Sequence, residues 1–193
     1  MVLARPPQDG RVQSDLRERL LESFRWVDPG PQSTHLVSDG SGWWRAPDVL
    51  AAIGPALADL FRAGQPTVVL SPETTGLLLG PLVAVALHVG FVPAVKEGDR
   101  TIAEPMSWAR TAPDYRGRAL ALGVRQRHLH PGDRVLVVDD WVATGAQVRA
   151  LYEVVRARGA LAVGAASIVA ACPPETTAEL GLRCLLTPDD LGR

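Results

Sequence analysis

Cysteine is nearly missing from this chain. Cys172 and Cys184 are the only two in 193 residues, and they lack the paired spacing of a zinc site. A disulfide framework is excluded with it, and both thiols are expected free and buried, in a reducing cytoplasm. Net charge is missing too. Twenty basic side chains face 21 acidic ones, a formal total of -1. That balance gives no electrostatic reason to expect nucleic acid or an acidic membrane as partner. The opening "MVLARPPQDGRVQ" holds no apolar core of signal-peptide length, so no secretory leader is expected. Nor is there a clean long hydrophobic run. Residues 74–95, "TTGLLLGPLVAVALHVGFVPAV", approach the length of a bilayer span, but Gly80, Pro81, Gly90 and Pro93 punctuate them and His88 lies inside. A buried helix followed by a buried strand is the expectation, not a membrane segment.

What remains is ordinary globular material: 47% hydrophobic and 21% charged residues, long enough for one domain with a sizeable core. Residues 1–13 read as a loose tail. Ser14 can cap a helix over 14–26, with Leu16, Leu20, Leu21 and Phe24 on one face. Turn-rich sequence follows, with a short strand expected at 34–37. Pro47 opens and Gly64 closes another helix, whose Val49, Leu50, Ile53, Leu57, Leu60 and Phe61 share a face. Gly54 and Pro55 are expected to kink or split it. Strands are expected at 67–70, 91–95, 135–138, 161–171 and 183–187, and helices at 77–89 and 146–158. The stretch "RALALGVRQRHL" fits a strand or a short helix. Residues 96–118 are polar, with two prolines and four arginines, and a connection of that length reads as a lid or hairpin flap. Strand and helix alternate through the middle of the chain. The fold class is therefore α/β, a mostly parallel sheet with helices on both faces.

The run "RVLVVDDWVATGAQVRALYEVV", residues 134–155, carries the chemistry. Ligands of a parallel sheet bind beyond the carboxyl ends of its strands. Asp139 and Asp140 stand at such an end. Two adjacent carboxylates repel, so the pair is favoured where a cation or hydroxyl groups meet it. Ala143 to Ala146 are small enough for backbone N–H groups to crowd around an anion. The helix that follows adds its positive end, and Thr144 adds a hydroxyl. Acids for hydroxyls beside a cradle for phosphate describe a sugar phosphate. The plainer alternative, two acids solvating a strand end, stays open at this point.

"VLVVDDWVATGAQ" resembles the phosphoribosyl-pyrophosphate signature of the type I phosphoribosyltransferases, and most nearly their adenine branch. "WRAPDVLAAIGPALADLF" is similar to that branch's base-side segment. "SPETTGLLLGPLVAVALHVGFVPAVKEGD" is similar to its pyrophosphate loop, helix and following strand. "PDYRGRALALGVRQRHLHPGDRVLVVDD" is similar to its flap and signature strand. The matching order covers about residues 40 to 170. The resemblance implies a single domain over 1–193 with a flexible flap at about 97–118, and transfer of a phosphoribosyl group to a purine, adenine before others. It implies Asp139 and Asp140 on the ribose hydroxyls, directly or through Mg2+ and water. It puts Ala143, Thr144, Gly145, Ala146 and Gln147 around the 5-phosphate. Glu73, Thr74, Thr75 and Gly76 would form the pyrophosphate loop, with Lys96 reaching the same group. Asp114 would be the flap acid that handles the purine proton, and Tyr115 would help close the lid. Arg45, with Trp44 or Trp43, would lie by the base. A homodimer is implied as well.

Three departures stand out. Thr75 occupies the place where the family carries Arg or Lys, and no basic residue occurs between Ser71 and Leu87. Charge neutralisation there is left to Lys96 and flap arginines such as Arg100 and Arg110; a missing cation of this kind costs on the order of 3 kcal/mol. The phosphate loop ends Gly145-Ala146-Gln147 rather than in a second glycine and a hydroxyl. "WWRAPD" matches the base-side segment only loosely. Two rivals therefore stay beside the enzyme: a non-catalytic sensor that keeps the sugar-phosphate site, and a transferase for another base. Of the remaining features, one of Trp43 and Trp44 is expected in the core. Trp108 either closes over ligand or sits in a dimer contact, and Trp141 either shields the sugar or packs. His128 and His130 are expected in a turn rather than on a metal, and Arg116, Arg118, Arg125 and Arg127 on a solvated face.

Overall fold

The computed structural model describes residues 10–31, 35–98, 104–113 and 119–192, with side chains from residue 15 onward. In chain order come α1 (Gly10–Glu22), β1 (Arg25–Val27), β2 (Val37–Asp39), α2 (Ser41–Arg45), α3 (Pro47–Asp59), β3 (Val68–Pro72), α4 (Gly76–Leu87) and β4 (Gly90–Lys96). Then follow β5 (Met106–Arg110), β6 (Ala121–Arg125), β7 (Arg134–Val142), α5 (Ala146–Ala157), β8 (Leu161–Ala170), α6 (Pro174–Glu179) and β9 (Leu182–Leu186).

Among the described residues the main sheet has seven strands in the order β5-β6-β4-β3-β7-β8-β9. The five from β4 to β9 run parallel, and β6 and β5 continue the sheet antiparallel beyond β4. All five residues of β3 are buried, as a strand covered on both faces requires. Alternation sorts the core into two halves. Val69, Leu136, Val138 and Ile168 pack with Ile53 and Leu57 of α3 and Leu79 and Val83 of α4. Leu70, Val135 and Val137 pack with Val148, Leu151 and Val155 of α5 and with Leu122 and Val124 of β6. No described helix is long and apolar enough to cross a membrane.

Several expectations need correction. The first helix ends at Glu22, and Arg25–Val27 is a strand paired antiparallel with Val37–Asp39. Tertiary contacts override the helical spacing there: Trp26 meets Phe24 edge-on and donates its indole N–H to the Leu191 carbonyl at 2.8 Å. The strand expected at 34–37 lies at 37–39, and residues 32–34 lie outside the described residues. Helix α3 runs unbroken through Gly54 and Pro55. A β-carbon on Gly54 would come within 2.6 Å of the Leu82 carbonyl oxygen, so glycine there lets α3 and α4 approach closely, while Pro55 faces outward.

Of the stretch 118–129, residues 121–125 form the strand β6 and 126–128 a short 3-10 turn. The flap region is partly sheet. β5 pairs with β6, and Trp108 lies flat over Gly123, where a β-carbon would meet the indole at 2.5 Å. Residues 99–103 and 114–118 lie outside the described residues, as do 1–9 of the tail.

Candidate active site

β3 and β7 run side by side in parallel, β7 continuing through Asp139 and Asp140 to Val142, and each feeds a helix of 12 residues. The start of α4 and the start of α5 therefore converge beyond the same sheet edge, and Asp139 stands between them. Asp139 is 7% exposed, and its Oδ1 accepts the backbone N–H of Asp140 at 3.0 Å. Burial pushes its carboxyl well above the ordinary carboxylate range. The neighbouring Asp140 adds to that, and Lys96 pulls the other way. A carboxyl in that state gains from any cation or hydroxyl donor that enters. A β-carbon on Gly76 would stand 3.3 Å from Asp139 Oδ1, so the positive end of α4 abuts the acid.

On the other side of the acid pair, Asp139, Trp141 and residues 142–148 line a cavity of about 100 Å3. Gly145 turns the chain at φ 75°. A β-carbon there would also come within 2.6 Å of Leu180 Cδ1, so both backbone and space call for glycine. The first full helical bond of α5 runs from the Arg149 N–H to the Gly145 carbonyl at 2.9 Å. The Ala146 N–H reaches Thr144 Oγ1 at 3.3 Å. Among the described residues, no acceptor takes the N–H of Gln147 or Val148. These are the free donors of a helix start, aimed where an anion would sit. The Gln147 Oε1 is buried without a partner in the same place.

The loop before α4 is tied to β4. The Glu73 N–H donates to the Ala94 carbonyl at 2.9 Å, and the Glu73 carboxylate accepts the Lys96 N–H at 2.9 Å. Thr74 is exposed, Thr75 half-buried and Gly76 buried. Lys96, the only lysine in the chain, is half-buried, and its charge is felt at Asp139. Arg110 lies on β5 and pairs with Glu97 at 3.1 Å. Of the flap residues singled out in the sequence, Arg100, Asp114, Tyr115, Arg116 and Arg118 lie outside the described residues.

On the base side the structure decides which of the two neighbouring tryptophans is the core one. Trp43 is 2% exposed, and its indole N–H donates to the Leu20 carbonyl at 2.9 Å. It is a core residue and offers no face to a ligand. Trp44 is half-buried and edge-on to Trp43, and Arg45 is exposed at the end of α2. The aromatic that reaches the site is Trp141. Its ring stacks on Phe24 at 6.1 Å and meets Trp26 edge-on at 6.1 Å. Sequence reading missed Phe24 and Trp26 because their contact to Trp141 spans more than a hundred positions. It also missed Arg149, which makes a two-point ion pair with Glu179 on α6; no local pattern links residues 30 apart.

Size does not mark this site. A larger cavity of about 630 Å3, lined by Phe61, Cys172, Cys184 and Arg183, contains neither acid. Nor do the described residues form a metal centre alone: no group of three or more His, Cys, Asp or Glu is placed to hold an ion. His128 and His130 flank a turn, as expected.

Comparison with known proteins comes to bear on this geometry. The profile of the phosphoribosyl transferase domain matches residues 45–179. An adenine phosphoribosyltransferase of Leuconostoc citreum is 33% identical over 147 residues, which is 76% of this chain and 74% of that protein. A xanthine phosphoribosyltransferase of Oenococcus oeni is 30% identical over 64% of this chain and 60% of that protein. The solved adenine phosphoribosyltransferase of Leishmania donovani superposes with a TM-score of 0.75 at 27% identity, covering 91% of this chain and 81% of that one.

Proposed function

This chain belongs to the phosphoribosyl transferase domain family, and from that premise we propose that it carries a phosphoribosyl group from phosphoribosyl pyrophosphate to a purine base, adenine before others. The products are the nucleotide and pyrophosphate. One observation carries the reading: Asp139, with Asp140 next to it in the chain, stands between two helix starts, one touching Asp139 at Gly76 and the other forming the small cavity at residues 142–148. That spacing gives a pentose its acids, its 5-phosphate one helix start and its leaving pyrophosphate the other.

In this account the hydroxyls of the ribose meet Asp139 and Asp140. The 5-phosphate takes the free N–H groups of Gln147 and Val148, with Ala143, Thr144, Gly145 and Ala146 closing the cradle. Glu73, Thr74, Thr75 and Gly76 wrap the pyrophosphate, and Lys96 supplies a cation to it. The bond from the anomeric carbon to pyrophosphate breaks and its electron pair leaves with pyrophosphate, while a ring nitrogen of the base bonds to that carbon. The ring proton passes to a carboxylate, which the family resemblance puts at Asp114. The flap excludes water, which would otherwise hydrolyse the activated sugar. Trp141, backed by Phe24 and Trp26, walls the sugar-phosphate cavity, and Trp44 and Arg45 are the residues that the family resemblance puts by the base.

The donor set suits Mg2+. Two adjacent carboxylates, one buried and short of positive partners, match an ion that takes one or two protein carboxylates and completes its shell with phosphate oxygens and water. Bound there, the ion would neutralise charge on the leaving pyrophosphate. We further propose one catalytic unit, a homodimer, in the cytoplasm. The uncharged helix α4 turns Leu78 and Val85 outward, 54% and 74% exposed, a face suited to a second copy; sedimentation reads this directly. Two free thiols fit a reducing compartment.

A second reading rests on Thr75: a sensor that binds the sugar phosphate without turnover. Incubation with phosphoribosyl pyrophosphate, Mg2+ and a panel of purine and pyrimidine bases separates the two. Pyrophosphate release dependent on adenine supports the enzyme. Release with another base corrects the substrate, and tight binding without release for any base favours the sensor.

A further inference from the structure

We propose that Arg149 is a positioning residue for phosphate recognition, acting from behind the loop with Glu179 as its anchor. The inference rests on the reading of residues 143–148 as the phosphate cradle. Arg149 projects from the first turn of α5. Its Nε donates to Glu179 Oε1 at 2.9 Å and its Nη2 to Glu179 Oε2 at 2.7 Å. The same guanidinium donates through Nη1 to the Thr144 carbonyl at 3.0 Å, and through Nη2 to Thr176 Oγ1 at 3.4 Å. This is the planar fork that only arginine offers.

An ion pair this exposed contributes little to stability; the side chains of Arg149 and Glu179 are 39% and 56% exposed. Its consequence lies in the third bond. The 144–145 peptide is trans and a peptide bond is planar, so the Gly145 N–H points opposite to the Thr144 carbonyl. Holding that carbonyl at Arg149 holds the Gly145 N–H away from Arg149, and Gly145 is one of the walls of the cavity. Arg149 itself is not among the cavity's walls. It therefore acts through the loop rather than on the phosphate.

α6 completes the brace. Gly145 packs against Leu180 and Thr176, and the Tyr152 hydroxyl of α5 donates to the Leu180 carbonyl at 2.7 Å. The short helix is thus fastened to α5 through both Arg149 and Tyr152, and to the cradle through Gly145. A loop that reads Gly145-Ala146-Gln147 has little hydroxyl chemistry of its own beyond Thr144. Its shape is set from outside.

The test measures binding of ribose 5-phosphate and of pyrophosphate to wild type, Arg149→Ala, Arg149→Lys and Glu179→Ala, with thermal melts alongside. Ribose 5-phosphate reports the cradle, and pyrophosphate reports the loop before α4. Arg149→Ala and Glu179→Ala should each weaken ribose 5-phosphate by about tenfold, the scale of one charge-assisted hydrogen bond, and leave pyrophosphate affinity unchanged. Arg149→Lys should stay weak, because an ammonium cannot grip Thr144 and both Glu179 oxygens together. In turnover, KM for phosphoribosyl pyrophosphate should rise more than kcat falls. Equal weakening of both ligands alongside a lower melting temperature would reduce Arg149 to a structural role and overturn the proposal. So would variants that bind ribose 5-phosphate as wild type does. If wild type itself fails to bind ribose 5-phosphate, the cradle assignment falls and takes this proposal with it. Should Arg149→Ala not fold, Glu179→Ala, which removes only an exposed carboxylate, carries the same comparison.

Discussion

A β-carbon placed on Gly76 would stand 3.3 Å from Oδ1 of Asp139. The helix start that we assign to pyrophosphate and the acid that we assign to ribose therefore share one contact. Gly76→Ala separates function from stability. Alanine is the better helix former by roughly 0.5–1 kcal/mol, yet its methyl presses on Asp139, and on Pro72 at 3.1 Å. The variant should melt within a few degrees of wild type and bind phosphoribosyl pyrophosphate about tenfold more weakly, as one disturbed charged contact would predict. Calorimetry and ligand titration on the same sample check both halves.

Asp139 gives a pH signature. Its carboxyl is raised in the folded chain, chiefly by burial and then by Asp140. The folded chain thus holds that proton more tightly than the unfolded chain does. Stability should fall as pH rises from the ordinary carboxylate range through the raised value, and the penalty should persist above it. Asp139→Asn removes the penalty. Without ligand, the variant should be more stable than wild type at pH 7.5, and the gain should shrink as pH falls into the ordinary carboxylate range. Paired melts at pH 7.5 and in that lower range read the sign; a variant less stable at pH 7.5 contradicts it.

Thr75 tests the missing cation. Thr75→Arg restores a basic residue beside the start of α4, where none occurs between Ser71 and Leu87. Tighter binding of pyrophosphate and faster turnover are expected, by about tenfold to a hundredfold, within the span of one positioned charge. Steady-state kinetics at low and moderate salt check it, since the gain should shrink with ionic strength.

Much of this was legible in the residues. The apolar runs of β3 and β7 and the acid pair in the carboxyl-terminal half of β7 point to a parallel sheet and the edge where its ligand sits, because both signals are local in sequence; the strand itself runs past the acids to Val142 rather than ending before them. What escaped is non-local. Trp26 leaves the expected helix to meet Phe24 and Leu191. The sequence puts one of Trp43 and Trp44 in the core, but only the fold shows that it is Trp43, buried under α1 with its N–H on Leu20. Trp141 reaches the site backed by Phe24, and Arg149 finds Glu179 across the fold. Spacing along a chain encodes faces of helices and strands; it does not encode which distant face arrives opposite.

The most direct measurement is titration of phosphoribosyl pyrophosphate with Mg2+ into wild type and into Asp139→Asn combined with Asp140→Asn, with circular dichroism as the control for folding. Wild type should bind, and the folded double variant should show no Mg2+-dependent binding. A folded double variant that binds as tightly as wild type would mean that the paired acids do not hold the sugar.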